Sequence, residues 1–151
     1  MTTFFACGPR TGIHNDTNEV HTTQNRSQSF ICGNALIEQK NIETAIRILG
    51  ISGDYSRGAK LFKQNCVVCH DLMDRKFIGP GLQGFYSRIP DPKVQWLRTY
   101  ILNSTKVYKS GNSYAKKLRR QYPKDTMPSF EEYLTERDID DIMFYIVGNT
   151  N

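Results

Sequence analysis

The 151-residue sequence predicts an all-α fold, and three observations lead to this prediction. Apolar residues recur at helical spacing in several segments. Residues that commonly cap or end helices separate those segments. No segment shows the alternation of polar and apolar residues that is typical of a half-buried strand. The length suits one ordinary domain, and no stretch approaches the ~18–20 apolar residues of a spanning helix, so a multi-pass transporter and a large α/β enzyme are excluded.

The N-terminal third differs in composition from the rest of the chain. Residues 1–34 are rich in Thr, Asn, Gln, Ser and Gly and show no helical or strand period, which is typical of a flexible tether. Residues 35–49 carry apolar residues at roughly helical spacing and predict a short amphipathic helix, which Gly50 ends. We therefore expect a tether over 1–50 and a folded domain over 51–151.

The folded part is expected to open with a helix that Asp54 or Ser56 caps and that runs through the sequence RGAKLFKQNCVVCH. Residues 71–92 are rich in glycine and proline, so this stretch is predicted to be mostly loop. Asp91 then resembles an N-cap that is followed by a proline at the first helical position. The helix that it opens places three aliphatic residues on one face: Val94, Leu97 and Ile101.

Two more helices complete the prediction. Asn112 or Ser113 can start the first of them. Thr135 caps the second, and Asp138 follows three residues later, which is the spacing of a capping box. This last helix is expected to end at Gly148. Its apolar stripe consists of Ile139, Ile142, Met143 and Ile146.

The chemistry of the sequence is concentrated in the C-x-x-C-H motif of residues 66–70. Cys66, Cys69 and His70 stand at positions i, i+3 and i+4, so they point the same way on a helical turn. Two thiols in this arrangement can add to the two vinyl groups of one haem, while the histidine beside them can ligate the iron. This motif is the attachment signature of a c-type haem.

Two other interpretations of the motif are open. A structural zinc site needs a fourth ligand, which normally comes from a second pair of cysteines or histidines. His14 and His21 lie in the predicted tether, and Cys7 and Cys32 are not close together in the sequence. A thioredoxin-like redox pair requires a βαβ context, which the sequence does not show. The residues around the motif decide among the three.

Over residues 56–148 the sequence resembles the class I cytochromes c. The matching segments are Gly58-Ala59-Lys60-Leu61-Phe62, Cys66-Val67-Val68-Cys69-His70, Ile78-Gly79-Pro80-Gly81-Leu82 and Thr126-Met127-Pro128-Ser129-Phe130, followed by an amphipathic C-terminal helix. The resemblance implies a class I cytochrome c fold, in which N-terminal, middle and C-terminal helices enclose one covalently bound haem c and its iron. The long segment between Trp96 and Tyr122 most resembles bacterial respiratory domains, especially those of Bacteroidetes.

The resemblance also implies roles for individual residues. Cys66 and Cys69 would carry the thioether bonds to the haem. His70 would be the proximal iron ligand, and the carbonyl oxygen of Pro80 would orient its ring through a hydrogen bond. Met127 would be the distal iron ligand. These five residues form the expected haem site.

Other residues compete with Met127 for the distal position. Met73 is so close to His70 in the sequence that it cannot easily reach the opposite haem face. Met143 lies on the apolar stripe of the last helix, where core packing is the simpler role. A lysine or a histidine in place of the methionine stays open, with three candidates: Lys124, His14 and His21.

His/Met ligation predicts an electron carrier and not an enzyme. It fills both axial positions and raises the reduction potential, so the iron can pass one electron with little rearrangement. A catalyst would need an open coordination position and a nearby acid or base, and no such group stands out in the sequence. Two alternatives are a fixed subunit of an oxidase or quinol-oxidising complex, and a small peroxidase-like or ligand-sensing haem protein without the methionine–iron bond.

The charge pattern suggests acidic partners. The net charge of +5 does not by itself require a nucleic acid. Residues 106–124 contain lysines and arginines but no acid, and they lead directly into Met127. We therefore expect these residues near the haem edge, where they would steer the protein to an acidic surface on a quinol-oxidising complex or a terminal oxidase. A solvated face without a partner is the alternative.

Covalent haem attachment is normally completed outside the cytoplasm, so we expect a periplasmic protein. The opening Phe4-Phe5-Ala6-Cys7-Gly8 resembles the end of a bacterial lipoprotein signal, in which the cysteine becomes lipidated. Lipidation of Cys7 would make residues 8–50 a membrane leash with a span of about 35 Å, enough for the domain to move between membrane complexes. A loose tail with an unused thiol is the alternative.

Overall fold

The computed structural model describes residues 24–123 and 126–151, with side chains from residue 33 onward. This part of the chain is helical and contains no strand, which confirms the all-α prediction. None of its helices is long and apolar enough to cross a membrane. The six helices are α1 (Gln24–Leu49), α2 (Tyr55–Asn65), α3 (Lys93–Leu102), α4 (Ser104–Lys109), α5 (Ser113–Gln121) and α6 (Glu136–Thr150), with a 3₁₀ turn at Phe85–Ser87.

Helix α1 is longer than the sequence predicts, because it begins at Gln24 and not at residue 35. Among the described residues, the contacts of the folded domain begin at Gln39, whereas the sequence predicts that this domain begins at residue 51. Within this domain, Ala45 and Leu49 of α1 are buried. The C-terminal end of α1 therefore packs as part of the folded domain.

The C-terminal end of α1 is held against α6 by polar side chains. Asn41 donates one hydrogen bond to the side-chain oxygen of Asn149, at 3.0 Å, and another to the hydroxyl of Tyr55, at 2.8 Å. A Cβ atom at Gly148 would lie 2.6 Å from the carbonyl oxygen of Asn41, so only glycine allows this approach. The prediction that Gly148 ends the last helix is wrong: α6 continues to Thr150, and the glycine serves the contact with α1.

Helix α2 crosses α6 at a second glycine. A Cβ atom at Gly58 would clash with the carbonyl oxygen of Asp141 and would lie 2.9 Å from Cβ of Tyr145. The rings of Phe62 and Tyr145 pack next to this crossing, with their centroids 5.6 Å apart. Asp54 caps α2, as predicted, and its own amide donates to the Asp141 carboxylate at 2.8 Å. The start of α2 is thereby fixed to α6.

Three short helices lie between α2 and α6 in the sequence. Helix α3 begins at Lys93, and the predicted cap by Asp91 does not form, since Pro92 occupies the N-cap position without a side-chain hydrogen bond. Helix α4, which the sequence analysis missed, is capped by the side chain of Asn103. Asn112 caps α5, as predicted, and accepts a hydrogen bond from a backbone amide of the first turn.

Helix α6 supplies the centre of the core. Thr135 and Asp138 form the predicted capping box, in which each side chain accepts a hydrogen bond from the backbone amide of the other residue. The predicted apolar stripe of this helix is buried, as are further residues between its members. The buried apolar residues of α6 are Ile139, Ile142, Met143, Phe144, Ile146 and Val147.

Candidate functional site

A cavity of about 870 Å³ lies within the folded domain. Its walls come from the C-x-x-C-H motif and the loop after it, from helices α3 to α6, and from the segment that contains Met127. The lining is mostly apolar. Six of the aliphatic and aromatic residues that line it are Leu82, Phe85, Ile89, Leu97, Ile101 and Ile142.

The C-x-x-C-H motif forms a turn at the end of α2. The sequence predicts a continuous helix through His70, but α2 ends at Asn65. The backbone amides of Cys69 and His70 both donate to the carbonyl oxygen of Cys66, at 3.0 and 2.9 Å. These hydrogen bonds keep the local spacing of a helical turn, and the side chains of Cys66, Cys69 and His70 all line the cavity.

The ring of His70 is oriented by the loop that follows the motif. Its Nδ1 atom lies 2.9 Å from the carbonyl oxygen of Pro80. Because a carbonyl can only accept, Nδ1 carries the proton and Nε2 keeps its lone pair. A Cβ atom at Gly79 would lie 2.6 Å from Cε1 of the ring, so glycine lets the loop pass directly against it. The structure therefore brings His70 and Pro80 together in the way that the resemblance implies.

The imidazole of His70 is neutral at neutral pH. Burial lowers its pKa, because the charged form loses solvation, while the hydrogen bond to Pro80 acts in the opposite direction. A neutral imidazole with a free Nε2 lone pair is the form that ligates a metal ion. The protonation state of His70 thus fits the proximal position.

The sulfur of Cys66 lies in surroundings that disfavour a charge. Burial, with a smaller contribution from Cys69, raises the pKa of the Cys66 thiol to about 12. The sulfur is therefore uncharged at neutral pH, and a thioether bond would keep it uncharged. An apolar wall of this kind suits covalent attachment better than a thiolate–zinc bond, which requires the ionised sulfur.

Met127 reaches the cavity from the segment between α5 and α6. Among the methionines whose side chains the structure describes, Met73 is 53% exposed and Met143 is fully buried in α6. Of these three side chains, Met127 alone lines the cavity. The hydroxyl of Ser104 donates to the carbonyl oxygen of Met127 at 3.3 Å, and the amide of Phe130 donates to the last residue of α3 at 2.8 Å. The segment is thus held at both ends.

An aromatic group that the sequence analysis did not assign to the site also lines the cavity. The rings of Trp96 and Tyr100 stack with their centroids 4.6 Å apart, and Tyr114 meets Trp96 edge-on at 5.3 Å. Burial raises the pKa of both tyrosines. The i, i+4 spacing of Trp96 and Tyr100 on a predicted helix was the available signal, since such residues share one helix face.

These features fit a haem c better than the other interpretations. Within the described side chains, no group of three or more His, Cys, Asp or Glu residues could hold a metal ion. This part of the chain therefore supplies no further ligands for a zinc ion at the motif. The same part of the chain has no strand and hence no βαβ unit for a thioredoxin-like pair. A large apolar cavity that joins two cysteines on one turn, a neutral histidine and a methionine suits an apolar macrocycle with a central iron.

The remaining candidates of the sequence analysis lie outside the described residues. They are Cys7, His14, His21 and Lys124, together with the side chain of Cys32. Their roles stay predictions.

Comparisons with known proteins agree with the geometry. The family model described as cytochrome c matches residues 55–150. A cytochrome c-553-like protein of Synechocystis sp. is 40% identical over 42 residues, which cover 28% of this chain and 40% of that protein. A cytochrome c of Theileria parva is 50% identical over 38 residues, which cover 24% of this chain and 33% of that protein.

The chain spans less than half the length of these curated relatives. No solved structure matches it significantly. The family model, by contrast, covers the folded domain from the start of α2 to the end of α6 and takes in the C-x-x-C-H turn, the Pro80 loop and Met127. The chain therefore belongs to the cytochrome c family and binds one covalently attached haem c.

Proposed function

We propose that this protein is a monohaem electron carrier in which Cys66 and Cys69 hold the haem while His70 and Met127 ligate its iron. The observation that carries the proposal is the composition of the cavity wall, which contains both cysteines, the neutral histidine and the methionine. When bound, the haem supplies a one-electron couple. Two protein ligands leave no open coordination position for oxygen or peroxide, so electron transfer is favoured over catalysis.

The protein's own residues would tune this couple. The hydrogen bond from His70 to Pro80 fixes the tautomer and increases the basicity of the ligating nitrogen. The apolar walls of α3 and α6 would exclude water around a bound haem and lower the local dielectric constant, which disfavours the additional positive charge of the oxidised iron. Two features raise the reduction potential: the thioether sulfur of Met127 as an iron ligand, and the exclusion of water from the haem site.

We propose respiratory redox proteins as partners, namely a quinol-oxidising complex and a terminal oxidase that present acidic surfaces. Residues 106–124 form the basic segment, and its described part, residues 106–123, supports this proposal. Five of its basic residues have exposed side chains: Lys106, Lys109, Lys116, Lys117 and Arg120. Lys117 also lines the cavity, so positive charge lies next to the haem site. Lys106, by contrast, is paired with Glu131 at 2.9 Å and is less available to a partner.

We also propose that the protein is a bacterial respiratory carrier of the periplasm, tethered to the membrane through a lipidated Cys7. The alternative is that it is a fixed subunit of one of these complexes. This proposal rests on the sequence. The resemblance of residues 96–122 to Bacteroidetes respiratory domains and the Phe4–Gly8 segment support it. Fractionation of the native host into soluble and membrane pools, compared between wild type and Cys7→Ser, would test the tether. Equal membrane association would contradict it.

The covalent site can be tested by mass spectrometry under denaturing conditions. Protein matured with haem-attachment machinery should carry one haem, on a peptide that contains Cys66 and Cys69. The double variant Cys66→Ser with Cys69→Ser should carry none, whereas the matched control Cys32→Ser should retain the adduct. An unmodified peptide in the wild type, or a zinc adduct, would overturn the proposal.

A further inference from the structure

Arg119 differs from the exposed basic residues of the same helix. Its side chain is half-buried, and its Nη1 atom donates to the hydroxyl of Thr126 at 2.6 Å. Its Nη2 atom donates to the hydroxyl of Thr105 at 3.4 Å, and the guanidinium carbon lies 4.9 Å from the centroid of the Tyr108 ring. One side chain of α5 thus contacts α4 at two points and contacts the residue directly before Met127.

The Thr126 contact matters because the segment around Met127 has no regular secondary structure. Residues 126–130 lie between α5 and α6 and form neither helix nor strand. The hydroxyl of Ser104 donates to the carbonyl oxygen of Met127 at 3.3 Å, and Arg119 donates to the side chain of Thr126, the residue before Met127. The methionine is therefore flanked by one tether to α4 and one to α5.

The chemistry of arginine suits a tether of this kind. The planar guanidinium can donate to two hydroxyls while it lies against an aromatic ring, so one geometry satisfies all three contacts. Stacking on Tyr108 restricts the side chain before it meets Thr126, which reduces the entropy that the hydrogen bond must overcome.

We propose that Arg119 is a positioning residue that holds the Met127 segment against the cavity and thereby slows dissociation of the methionine from the iron. This inference rests on the proposed function, in which Met127 is the distal ligand. It also separates Arg119 from the docking residues of the basic segment. The role of Arg119 is to hold the ligand segment, and its exposed neighbours remain available to a partner.

Imidazole binding to the oxidised holoprotein tests this role. Imidazole can bind only after the methionine has left the iron, so the loss of the methionine–iron absorption band reports how often the segment opens. Arg119→Gln and Thr126→Val each remove one side of the hydrogen bond. Because a hydrogen bond to a charged donor is at stake, we expect each to increase the binding rate roughly tenfold. Combining the two should add little, since both remove the same interaction.

Three further variants separate positioning from charge and from general stability. Arg120→Gln removes the same charge from an exposed neighbour and should leave the imidazole rate unchanged. Thr126→Ser keeps the hydroxyl and should restore a rate close to that of the wild type. Arg119→Lys keeps the charge without the planar fork and should behave more like Arg119→Gln. If Arg119→Gln does not fold, as judged by circular dichroism, the two Thr126 variants alone decide the question.

Two results would overturn the inference in distinguishable ways. If the wild type shows the methionine–iron band but Arg119→Gln and Thr126→Val bind imidazole at the wild-type rate, the tether has no role while the proposed ligation stands. If the effects of the two variants are fully additive, the residues act independently and the tether is likewise excluded. If the wild type lacks the band, Met127 is not the ligand, and the proposed function falls together with the inference.

Discussion

Nδ1 of His70 and the carbonyl oxygen of Pro80 lie 2.9 Å apart, and this contact determines which ring nitrogen is left for the iron. The contact depends on the loop that contains Gly79, whose amide donates to the carbonyl oxygen of Cys69 at 2.8 Å. The C-x-x-C-H turn and the Pro80 loop are thus fastened to each other. Proximal ligand geometry is therefore a property of the loop as much as of the motif.

Gly79→Ala should disturb the proximal ligand. The new Cβ atom would lie 2.6 Å from Cε1 and 2.9 Å from Nδ1 of His70, so the ring or the loop must shift. We expect a loss of about 1–3 kcal/mol in the free energy of unfolding, together with a changed reduction potential. Denaturant unfolding and a redox titration of the holoprotein measure the two effects.

Gly81→Ala is the matched control for this prediction. Its Cβ atom would crowd the carbonyl oxygen of Met73 at 2.5 Å, in the same loop but away from the imidazole. It should lower stability by a similar amount with a smaller change in potential. Equal changes in potential for the two variants would show that the loop does not orient His70.

Gly58→Ala should destabilise the crossing of α2 and α6. The added Cβ atom would clash with the backbone carbonyl of Asp141, and its distance to the carbonyl carbon would be 2.7 Å. Because a helix backbone cannot move as a side chain can, we expect a cost of about 3 kcal/mol, at the upper end for overpacked sites. Thermal and denaturant unfolding measure this cost. Lys60→Ala, at an exposed position of α2, should change stability little, and an equally small effect of Gly58→Ala would contradict the packing argument.

Asp138→Asn should lower stability in a pH-dependent manner. Hydrogen bonds from Thr135, together with the charge of Arg57, lower the pKa of the Asp138 carboxyl below its ordinary value of 3.8. A carboxyl with a depressed folded pKa stabilises the protein above its unfolded pKa, and this contribution is lost as the pH falls through the folded pKa. We therefore expect a loss of about 1 kcal/mol at pH 7 that shrinks below about pH 4.

Denaturant unfolding across this pH range measures the effect. Glu132→Gln, at an exposed position ahead of α6, is the control and should change little at any pH. A cost of Asp138→Asn that is the same on both sides of pH 4 would mean that the carboxylate charge contributes nothing to the cap.

Lys116→Glu combined with Arg120→Glu should slow electron transfer to the physiological acceptor. Both side chains are exposed and lie four residues apart on α5, so they share one face. Long-range attraction raises association rates by roughly ten- to a thousandfold, so we expect at least about a tenfold loss at low ionic strength. Salt should reduce the difference, because it screens charges beyond about 8–10 Å.

The second-order rate constant, measured against ionic strength, is the test of this steering. Lys40→Glu with Arg47→Glu makes the same change in net charge at two exposed positions of α1 that do not line the cavity, and should slow the reaction much less. Equal rates for the α5 pair and the wild type at low salt would mean that the basic segment is a solvated face or that the domain is permanently docked. The haem spectrum should be unchanged in all of these proteins.

Features that depend on neighbouring residues could be predicted from the sequence. The capping box of Thr135 and Asp138 forms as expected, because both partners lie within one helical turn. The caps of α2 and α5 by Asp54 and Asn112 have the same local origin. The pairing of His70 with Pro80 spans a loop and came from the family resemblance, not from a local pattern.

Features that depend on contacts between distant residues could not be predicted. Asn41 meets Asn149 across 108 positions of the sequence, so nothing near Asn41 indicates that the end of α1 belongs to the folded domain. The residue type of Gly148 predicts a helix end, whereas its role depends on the approach of α1. Arg119 belongs to the basic segment by sequence, and only the folded chain reveals its contact with Thr126.

The most direct test of the proposed iron ligation is the methionine–iron absorption band of the oxidised holoprotein near the red edge of the visible spectrum. We predict that the wild type shows this band and that Met127→Ala abolishes it, lowers the reduction potential and lets the reduced protein bind carbon monoxide. Met73→Leu and Met143→Leu, at an exposed and a core position, should retain the band. A band that persists in Met127→Ala would show that another residue ligates the iron and would contradict the proposed site.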